Sequence, residues 1–372
     1  MVEFASMAIC TFNPARQRNQ PAGAEWRSIL TEAVRCPAEL CRLLGLPPAL
    51  AEEAERSAQG FPLLAPRTFL ARIRPGDPAD PLLLQVLPRA AENAATPGFL
   101  ADPLGEVDAC DRNGLLRKYQ GRVLIVATGS CGVHCRFCFR RHFPYDQGRV
   151  TPSSDTNGAK ISDSHARCNG GAIDEREEPS EATLDKIAAD PTIHEVILSG
   201  GDPLMLPDER LDRLVRKFSQ IPHLRRLRIH SRLPVIIPQR ITDGLISALR
   251  GGRLAPVMVV HVNHPAEIDA DVAEGLGRLV DAGIPVLSQS VLLRGVNDRI
   301  ETLVALYERL VDLRVMPYYL HQLDRVAGAA HFEVPVSTGV ELVSLLRVRL
   351  PGYAVPRYVR ETRGGANKEP LA

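Results

Sequence analysis

Three cysteines lie close together in the stretch Cys131-Gly-Val-His-Cys135-Arg-Phe-Cys138. Their spacing is C-x3-C-x2-C, and the residues that follow supply no fourth cysteine nearby. Three thiolates can hold three irons of a four-iron cluster and leave the fourth iron open to a small molecule, whereas four thiolates usually close the site. We therefore predict that these cysteines hold a [4Fe-4S] cluster with an open iron that takes part in chemistry.

A structural zinc site is the alternative interpretation of the same cysteines. His134, His142 or Cys168 would then supply a more distant fourth ligand. Zinc motifs usually pair their ligands as C-x2-C and repeat the pair, and the triplet here is not repeated. Unrelated core cysteines are a weaker alternative, because three cysteines within eight residues are unlikely by chance. The spacing therefore favours an iron–sulfur cluster over zinc.

A glycine-containing turn, Leu198-Ser-Gly-Gly-Asp-Pro203, follows a predicted strand. Glycines let a ligand approach the backbone, and the exposed amides of such a turn can bind an anion. A tight turn uses the same residues, so this stretch is a weak indication of function by itself. Polar clusters at 228–232 and 261–264 also end predicted strands, and a core histidine bonded to the backbone is the alternative explanation for each.

Short apolar, β-branched runs alternate with amphipathic helical patterns from residue 120 onward. The predicted strands are 123–127, 195–199, 227–230, 257–262, 286–293 and 316–321. One of the helices between them has Asp208 as its predicted N-cap. Alternation of this kind predicts an α/β fold of parallel strand–helix units, and six units form an incomplete (β/α)6 barrel.

Chemistry in such a barrel is expected at the carboxyl ends of the strands, because those ends meet on one face. The polar residues that follow the predicted strands are Cys131, Asp202, Ser231, Arg232, His264, Arg294 and Asp324. We expect these side chains to lie around one site.

The chain divides into three predicted regions. Residues 1–110 form a mostly helical region broken by prolines, 111–350 form the barrel, and 351–372 form a C-terminal segment. Within the barrel, residues 149–179 contain no aromatic residue and are rich in Ser, Asp, Asn and Gly. Such a composition buries too little apolar surface to order itself, so we predict a flexible insertion.

The composition excludes several classes of partner. A net charge of +1 gives no electrostatic bias toward nucleic acid or an anionic membrane. No apolar run approaches the length of a transmembrane helix, and the first residues do not have the pattern of a secretion signal. The remaining cysteines suggest no disulfide framework, which fits a reducing cytoplasm.

Taken together, these motifs resemble one family, the lysine 2,3-aminomutases of the radical S-adenosylmethionine enzymes. The stretches that carry the resemblance are Cys135-Arg-Phe-Cys138-Phe-Arg140-Arg141-His-Phe-Pro144-Tyr, Leu198-Ser-Gly-Gly-Asp-Pro-Leu-Met, Gln289-Ser-Val-Leu-Leu-Arg-Gly-Val-Asn297 and Pro317-Tyr-Tyr-Leu-His321-Gln-Leu-Asp324. The resemblance covers roughly residues 25–148 and 180–370. It is greatest to the bacterial branch that makes β-lysine for the modification of translation elongation factor P.

The resemblance implies a radical S-adenosylmethionine barrel that converts L-α-lysine to (R)-β-lysine. It implies three cofactors: the [4Fe-4S] cluster, S-adenosyl-L-methionine and pyridoxal 5′-phosphate. Free L-lysine is the implied substrate, and a flavodoxin or ferredoxin is the implied reductant. Elongation factor P and its lysyl ligase are implied as functional partners.

The resemblance also implies residues that bind the cofactors. Lys368, in Glu361-Thr-Arg-Gly364-Gly-Ala-Asn-Lys368, matches the lysine that binds pyridoxal phosphate covalently. On sequence alone, a frayed tail would be the simpler explanation of that stretch. Arg122 and Tyr119 match residues that hold the phosphate of this cofactor. The residues that match contacts to S-adenosylmethionine are Gly200, Gly201, Asp202, His261 and Gln289.

For the substrate, Arg140 matches the residue that pairs with the carboxylate, which a guanidinium fork suits well. Asp324 and Glu361 match the acidic pair that receives the side-chain ammonium, and two negative charges favour lysine over glutamate. Glu361 replaces the aspartate of the clostridial enzymes, and Gly364-Gly-Ala-Asn replaces their run of four glycines. A mutase for another amino acid and a non-catalytic iron–sulfur protein are the alternatives.

Overall fold

The computed structural model describes residues 24–111, 114–145 and 180–372. The predicted insertion at 149–179, which includes Cys168, lies outside the described residues. So do residues 1–23 of the predicted helical region.

One sheet contains all the described strands, and its spatial order follows the chain order. The strands are β1 (Leu115–Leu116), β2 (Arg122–Thr128), β3 (Glu195–Gly200), β4 (Arg226–Ser231), β5 (Ala255–His261), β6 (Val286–Val291), β7 (Met316–His321), β8 (Arg357–Arg360) and β9 (Glu369–Pro370). Strands β2 to β8 are parallel to their neighbours, whereas β1 and β9 pair antiparallel at the two edges. Because β1 pairs only with β2 and β9 only with β8, the sheet is an open, incomplete barrel.

The helices fall into an N-terminal group and a group that connects the parallel strands. The N-terminal helices are α1 (Ala24–Thr31), α2 (Pro37–Leu43), α3 (Pro48–Ser57), α4 (Arg67–Leu70), α5 (Pro81–Leu84) and α6 (Glu106–Ala109). The connecting helices are α7 (Glu181–Ala188), α8 (Asp208–Ser219), α9 (Leu233–Ile236), α10 (Asp243–Arg250), α11 (Ala270–Asp281), α12 (Ile300–Asp312) and α13 (Val336–Arg349). Each connection between successive parallel strands therefore contains at least one helix, as parallel pairing requires.

Apolar burial explains why these segments adopt this fold. Strand β3 buries five of its six residues, as expected of a central parallel strand covered on both faces. One continuous apolar core joins the barrel to the N-terminal helices and includes both Trp26 and Leu198. The helical region also contacts the cysteine loop, where the His134 amide donates to Leu64 O at 3.0 Å. The N-terminal helical region is thus part of the packing around the cysteines.

All six predicted strands are present, and β8 adds a seventh parallel strand from the segment that we predicted to lie outside the barrel. This strand has only four residues, with Tyr358 and Val359 buried between two arginines. Its register to β7 is supported by a hydrogen bond from the Tyr358 hydroxyl to Gln322 Oε1. So short a run has no periodicity that distinguishes it from a loop.

Asp208 is the first residue of α8, and Pro207 occupies the N-cap position, so the predicted N-cap was wrong. The Asp208 carboxylate instead accepts from Arg240 Nη1 at 2.7 Å and from Thr242 Oγ1 at 2.5 Å. No helix among the described residues has both the length and the apolarity needed to cross a membrane.

Candidate active site

The carboxyl ends of the parallel strands surround one cavity of about 550 Å³. The residues to which we assigned a cluster, cofactor or substrate role all line it: Tyr119, Arg122, Cys131, Cys135, Cys138, Arg140, Gly200, Gly201, Asp202, His261, Gln289, Asp324, Glu361 and Lys368. Two strand-end residues that we expected there do not line it. Arg294 donates to Glu333 O on the surface, and His264 caps a 3-10 turn by accepting from the Ala266 amide.

The three cysteines lie in the loop that follows β2, and their thiol groups face the same cavity. The Cys138 amide donates to Cys135 O at 3.0 Å, which turns the loop between these two residues. Arg232 Nη1 donates to Cys135 Sγ at 2.7 Å, so a guanidinium lies directly beside this cysteine. Burial, together with the electrostatic effect of the neighbouring Cys135, raises the pKa of the Cys138 thiol to about 11. An iron cluster would reverse this shift, because coordinating thiols are deprotonated.

The histidines of the zinc interpretation have other partners. His134 Nδ1 lies 2.9 Å from Pro62 O, and His142 Nε2 lies 3.0 Å from Ala327 O. Within residues 24–111, 114–145 and 180–372, no three Cys, His, Asp or Glu side chains converge on a position for a single metal ion. Cys131, Cys135 and Cys138 line one cavity, and three thiols are the donor set that leaves one iron of a four-iron cluster open.

The turn after β3 packs directly on the start of the cysteine loop. Gly200 has φ +115°, and a Cβ atom at Gly201 would lie 2.2 Å from Ser130 O. The Gly201 amide donates to Thr128 O at 2.7 Å. Only glycine permits this approach of two backbones, so the turn and the cysteine loop are held as one unit.

The Asp202 carboxylate is already bonded to protein groups. It accepts from Ser231 Oγ at 2.7 Å, from the Arg232 amide at 2.8 Å, and from the amides of Leu204 and Leu233. These bonds tie the end of β3 to the end of β4. A contact of this side chain with S-adenosylmethionine stays a prediction.

His261 and Gln289 are register partners on β5 and β6. The His261 ring packs on the Phe137 ring, with the ring centroids 5.5 Å apart. In the sequence, Phe137 lies between the second and third cysteines, Cys135 and Cys138. Burial, together with the positive charge of Arg232, lowers the pKa of His261 to about 4. At neutral pH this imidazole is uncharged and presents a hydrogen-bonding ring next to the cluster loop.

Lys368 is brought into the cavity by the last two strands. It directly precedes β9, which pairs antiparallel with β8, and Arg360 bonds Glu369 across this pair at 2.9 Å. The Lys368 ammonium donates to Glu361 Oε2 and lies 5.9 Å from the centre of the Tyr319 ring. The lysine is therefore held in the site, and the interpretation as a frayed tail is wrong.

Comparison with known proteins agrees with this arrangement. The model of the radical SAM superfamily matches residues 125–307. A relative from Escherichia coli K12, named L-lysine 2,3-aminomutase, is 41% identical over 95% of this chain and 96% of its own length. The chain belongs to the lysine 2,3-aminomutase family.

Two other relatives with the same name have equal or lower sequence identity to this chain. The one from Haemophilus influenzae is 41% identical over 92% of this chain and 94% of its own length. The one from Clostridium subterminale is 34% identical over 93% of this chain and 77% of its own length. A crystal structure of Streptococcus suis SuiB bound to S-adenosylmethionine overlaps 66% of this chain and 51% of that chain, with a TM-score of 0.43 and 11% identity.

As a member of this family, the protein is an isomerase that uses a [4Fe-4S] cluster, S-adenosylmethionine and pyridoxal phosphate. The donors in the cavity fit these groups. Three thiols are available for iron, and Lys368 is an amine for an aldehyde. The Arg122 guanidinium lies 4.8 Å from the centre of the Tyr119 ring, so a cation and a phenol are adjacent where a phosphate is expected.

The two acidic residues near Lys368 differ in charge. Burial, together with the negative charge of Glu361, raises the pKa of Asp324 to about 7. Burial would also raise the pKa of Glu361, but the ammonium groups of Lys368 and Lys118 outweigh it and hold that pKa well below its usual range. Glu361 is therefore a permanent anion, and Asp324 titrates near neutrality.

Glu106 and Lys118 are among the charged residues of this cavity that sequence reasoning missed. Arg140 Nε donates to Glu106 Oε2 at 2.6 Å, and Lys118 Nζ donates to Glu361 Oε1 at 2.7 Å. Glu106 begins a helix of four residues, too short for a periodic pattern. The one available signal for Lys118 was its position directly before Tyr119.

The close approach at Gly201 predicts that Gly201→Ala disrupts the cluster site. The added methyl group must displace Ser130 and hence the loop that holds Cys131. We expect less iron and sulfide bound per chain, and S-adenosylmethionine cleavage reduced by roughly tenfold or more, since displacements of about 1 Å at an active site can cost about 100-fold. Gly277→Ala is the control, because nothing lies within 4 Å of a Cβ atom there. Normal iron content and cleavage in Gly201→Ala would contradict the prediction.

Proposed function

We propose that this protein catalyses the conversion of L-lysine to β-lysine by moving the amino group from C2 to C3. The observation that carries this proposal is the presence of Lys368, two carboxylates and the three cysteines around one cavity. Relatives named L-lysine 2,3-aminomutase, at 38% to 41% identity over more than nine-tenths of the chain, support the same activity.

When bound, the cluster and S-adenosylmethionine supply radical chemistry for hydrogen removal, and pyridoxal phosphate supplies a π system for nitrogen migration. Lys368 would hold pyridoxal phosphate covalently, with Arg122 and Tyr119 at its phosphate. The cysteines would hold the cluster, with the turn Gly200-Gly201-Asp202, His261 and Gln289 next to S-adenosylmethionine.

The chain's own side chains orient the substrate and exclude water from it. Asp324 and Glu361 attract the side-chain ammonium, and Arg140 is the buried guanidinium for the carboxylate. Opposite charges at the two ends of the cavity fix one orientation of lysine and place C2 and C3 between them. Such positioning is a large part of catalysis when the cofactors carry the reaction. Glutamate, with a second carboxylate in place of the ammonium, would be repelled by Asp324 and Glu361.

We further propose that the product is (R)-β-lysine and that it serves the modification of elongation factor P by a lysyl ligase. The support is the resemblance to the bacterial branch, through the Phe139–Tyr145 stretch and the loop before Lys368. A free amino acid is the proposed substrate, because Arg140 would meet a free α-carboxylate. The proposal includes a flavodoxin or ferredoxin as reductant and a location in the reducing cytoplasm.

An anaerobic assay tests this function. Protein with a reconstituted cluster receives S-adenosylmethionine, pyridoxal phosphate, a strong reductant and either L-lysine or L-glutamate, and the products are separated by chiral chromatography. We expect (R)-β-lysine from lysine and no β-amino acid from glutamate. Formation of 5′-deoxyadenosine without β-lysine would reject lysine as the substrate while retaining the radical chemistry, and the S enantiomer would reject the link to elongation factor P.

Lys368→Ala is expected to abolish β-lysine formation and the visible absorbance of covalently bound pyridoxal phosphate. The iron content should not change, because the contacts of Lys368 among the described residues are with Glu361 and the Tyr319 ring and not with the cysteine loop. Lys186→Ala is the matched control, since Lys186 lies on α7 and forms an exposed ion pair with Asp111. Retention of the absorbance in Lys368→Ala would assign the cofactor to another lysine.

The raised pKa of Asp324 predicts a pH dependence of lysine binding. Below about pH 7 this carboxyl is protonated and neutral, and above it the carboxylate attracts the lysine ammonium, which stays charged up to a pKa of about 10.4. The KM for lysine should therefore fall between pH 6 and pH 8. In Asp324→Asn it should be higher at pH 8 by about tenfold to a hundredfold, as expected for the loss of a bond to a charged group.

The Asp324→Asn variant should also lose this pH dependence, whereas Asp185→Asn on the exposed face of α7 should keep it. An unchanged slope of KM against pH in Asp324→Asn would show that another group titrates in this range.

A further inference from the structure

We propose that Glu106 and Lys118 form a bridge that joins the two ends of the substrate site and sets the distance between them. The bridge runs from Arg140 through Glu106 and Lys118 to Glu361. In this role both are positioning residues that select the length of the amino acid. The inference rests on the proposed function, because it takes Arg140 and Glu361 as the two ends.

The first half of the bridge is a buried, two-pronged ion pair. Arg140 donates through Nε to Glu106 Oε2 at 2.6 Å and through Nη2 to Glu106 Oε1 at 3.1 Å. Its third nitrogen, Nη1, donates to Ser199 Oγ at 3.0 Å. Both partners are buried, at 7% and 4% exposure. Glu106 thus fixes the plane in which Arg140 meets a substrate carboxylate.

The second half is Lys118, which touches the acidic residues of both ends. Its Nζ atom lies 3.5 Å from Glu106 Oε1 and 2.7 Å from Glu361 Oε1. Glu361 Oε2 accepts from Lys368. Lys118, on Oε1, and Lys368, the residue that would hold pyridoxal phosphate, on Oε2, thus share the Glu361 carboxylate.

The charges of the bridge match those of lysine. Lys118 adds a cation beside the pair of Arg140 and Glu106, and because it also bonds Glu361 its positive charge is shared between the two ends. Without Lys118, the pair of Arg140 and Glu106 would be neutral and would attract a carboxylate only weakly. Lys118 therefore contributes to the carboxylate end even though its shortest bond is at the ammonium end.

The scaffold around Glu106 holds the bridge from two sides. The Asp102 carboxylate accepts from the amides of Glu106 and Val107, each at 3.0 Å. On the other side, Arg363 of the C-terminal segment bonds Asp108 at 2.6 Å and packs against Gly105, where a Cβ atom would lie 2.8 Å from Arg363 Nε. The helix that carries Glu106 is thus attached to the segment that carries Glu361.

The test measures lysine and its homologue ornithine, which is shorter by one methylene. In Lys118→Met and Glu106→Gln we expect the KM for lysine to rise about tenfold or more with a smaller change in kcat. The preference for lysine over ornithine in kcat/KM should fall, since one methylene is worth roughly 10- to 200-fold in a rigid site. Lys118→Arg should restore most of the preference, and Lys186→Met is the exposed control.

Binding without turnover separates this inference from the proposed function. The absorbance change of protein-bound pyridoxal phosphate on addition of lysine or ornithine gives both affinities in the absence of S-adenosylmethionine. A wild-type protein that makes no β-lysine would reject the proposed function, and the inference would still be judged by these affinities. An unchanged ratio of lysine to ornithine affinity in both variants would overturn the bridge. Weaker binding of pyridoxal phosphate as the only defect of Lys118→Met would also overturn it, because Lys118 would then belong to the cofactor.

Discussion

The site depends on the pairing of β8 and β9 at the far edge of the sheet. This pairing returns the chain after β8 toward the cavity and leaves Glu361 and Lys368 at the two ends of one loop, next to each other in space. Without β9, the loop 361–368 would have no backbone partner on its C-terminal side, and Lys368 would be free to leave the cavity. The two-residue strand β9 thus keeps Lys368 in the site.

Strand pairing alone does not stabilise so many buried charges, so the charged side chains must also form ion pairs with one another. An unpaired ion in a site of low dielectric constant is costly, whereas a paired and hydrogen-bonded one is tolerated. Around this cavity Arg140 has Glu106, Arg232 has Glu267, and Glu361 has both Lys118 and Lys368. Asp324 is the exception among these acids, and its raised pKa is the consequence. Asp324 thereby remains a titratable acid at a position where an incoming ammonium group can form an ion pair with it.

Much of this arrangement was predictable from the sequence, for identifiable reasons. Strand β3, for example, contains the apolar run 196–198, and burial on both faces produces that pattern. The cysteine triplet was recognisable because three cysteines within eight residues are unlikely by chance, and their C-x3-C-x2-C spacing is not that of a repeated zinc pair. Resemblance to the family, rather than any physical pattern, pointed to Lys368 as a functional residue.

What sequence reasoning missed were features defined by partners far away in the chain. Strand β8 is recognisable only beside β7, because its arginines obscure the two buried residues between them. Glu106 becomes a site residue only when Arg140 is brought to it from 34 positions away, and Lys118 only when Glu361 is brought from 243. No local pattern encodes such pairs, since a charged residue on a short helix or next to a turn is most often solvated.

The same distant pairs explain how the proposed site would discriminate between two amino acids of opposite side-chain charge. Lysine and glutamate share the α-carboxylate and the α-nitrogen, so Arg140 and Lys368 cannot separate them. The distinction has to come from the end where Asp324 and Glu361 lie, and there Lys118 opposes it by neutralising part of the negative charge. Lys118 also adds positive charge to the proposed carboxylate end, where it lies 3.5 Å from Glu106. A single ammonium between two carboxylates thus couples recognition of the two ends, and a change at either end is felt at the other.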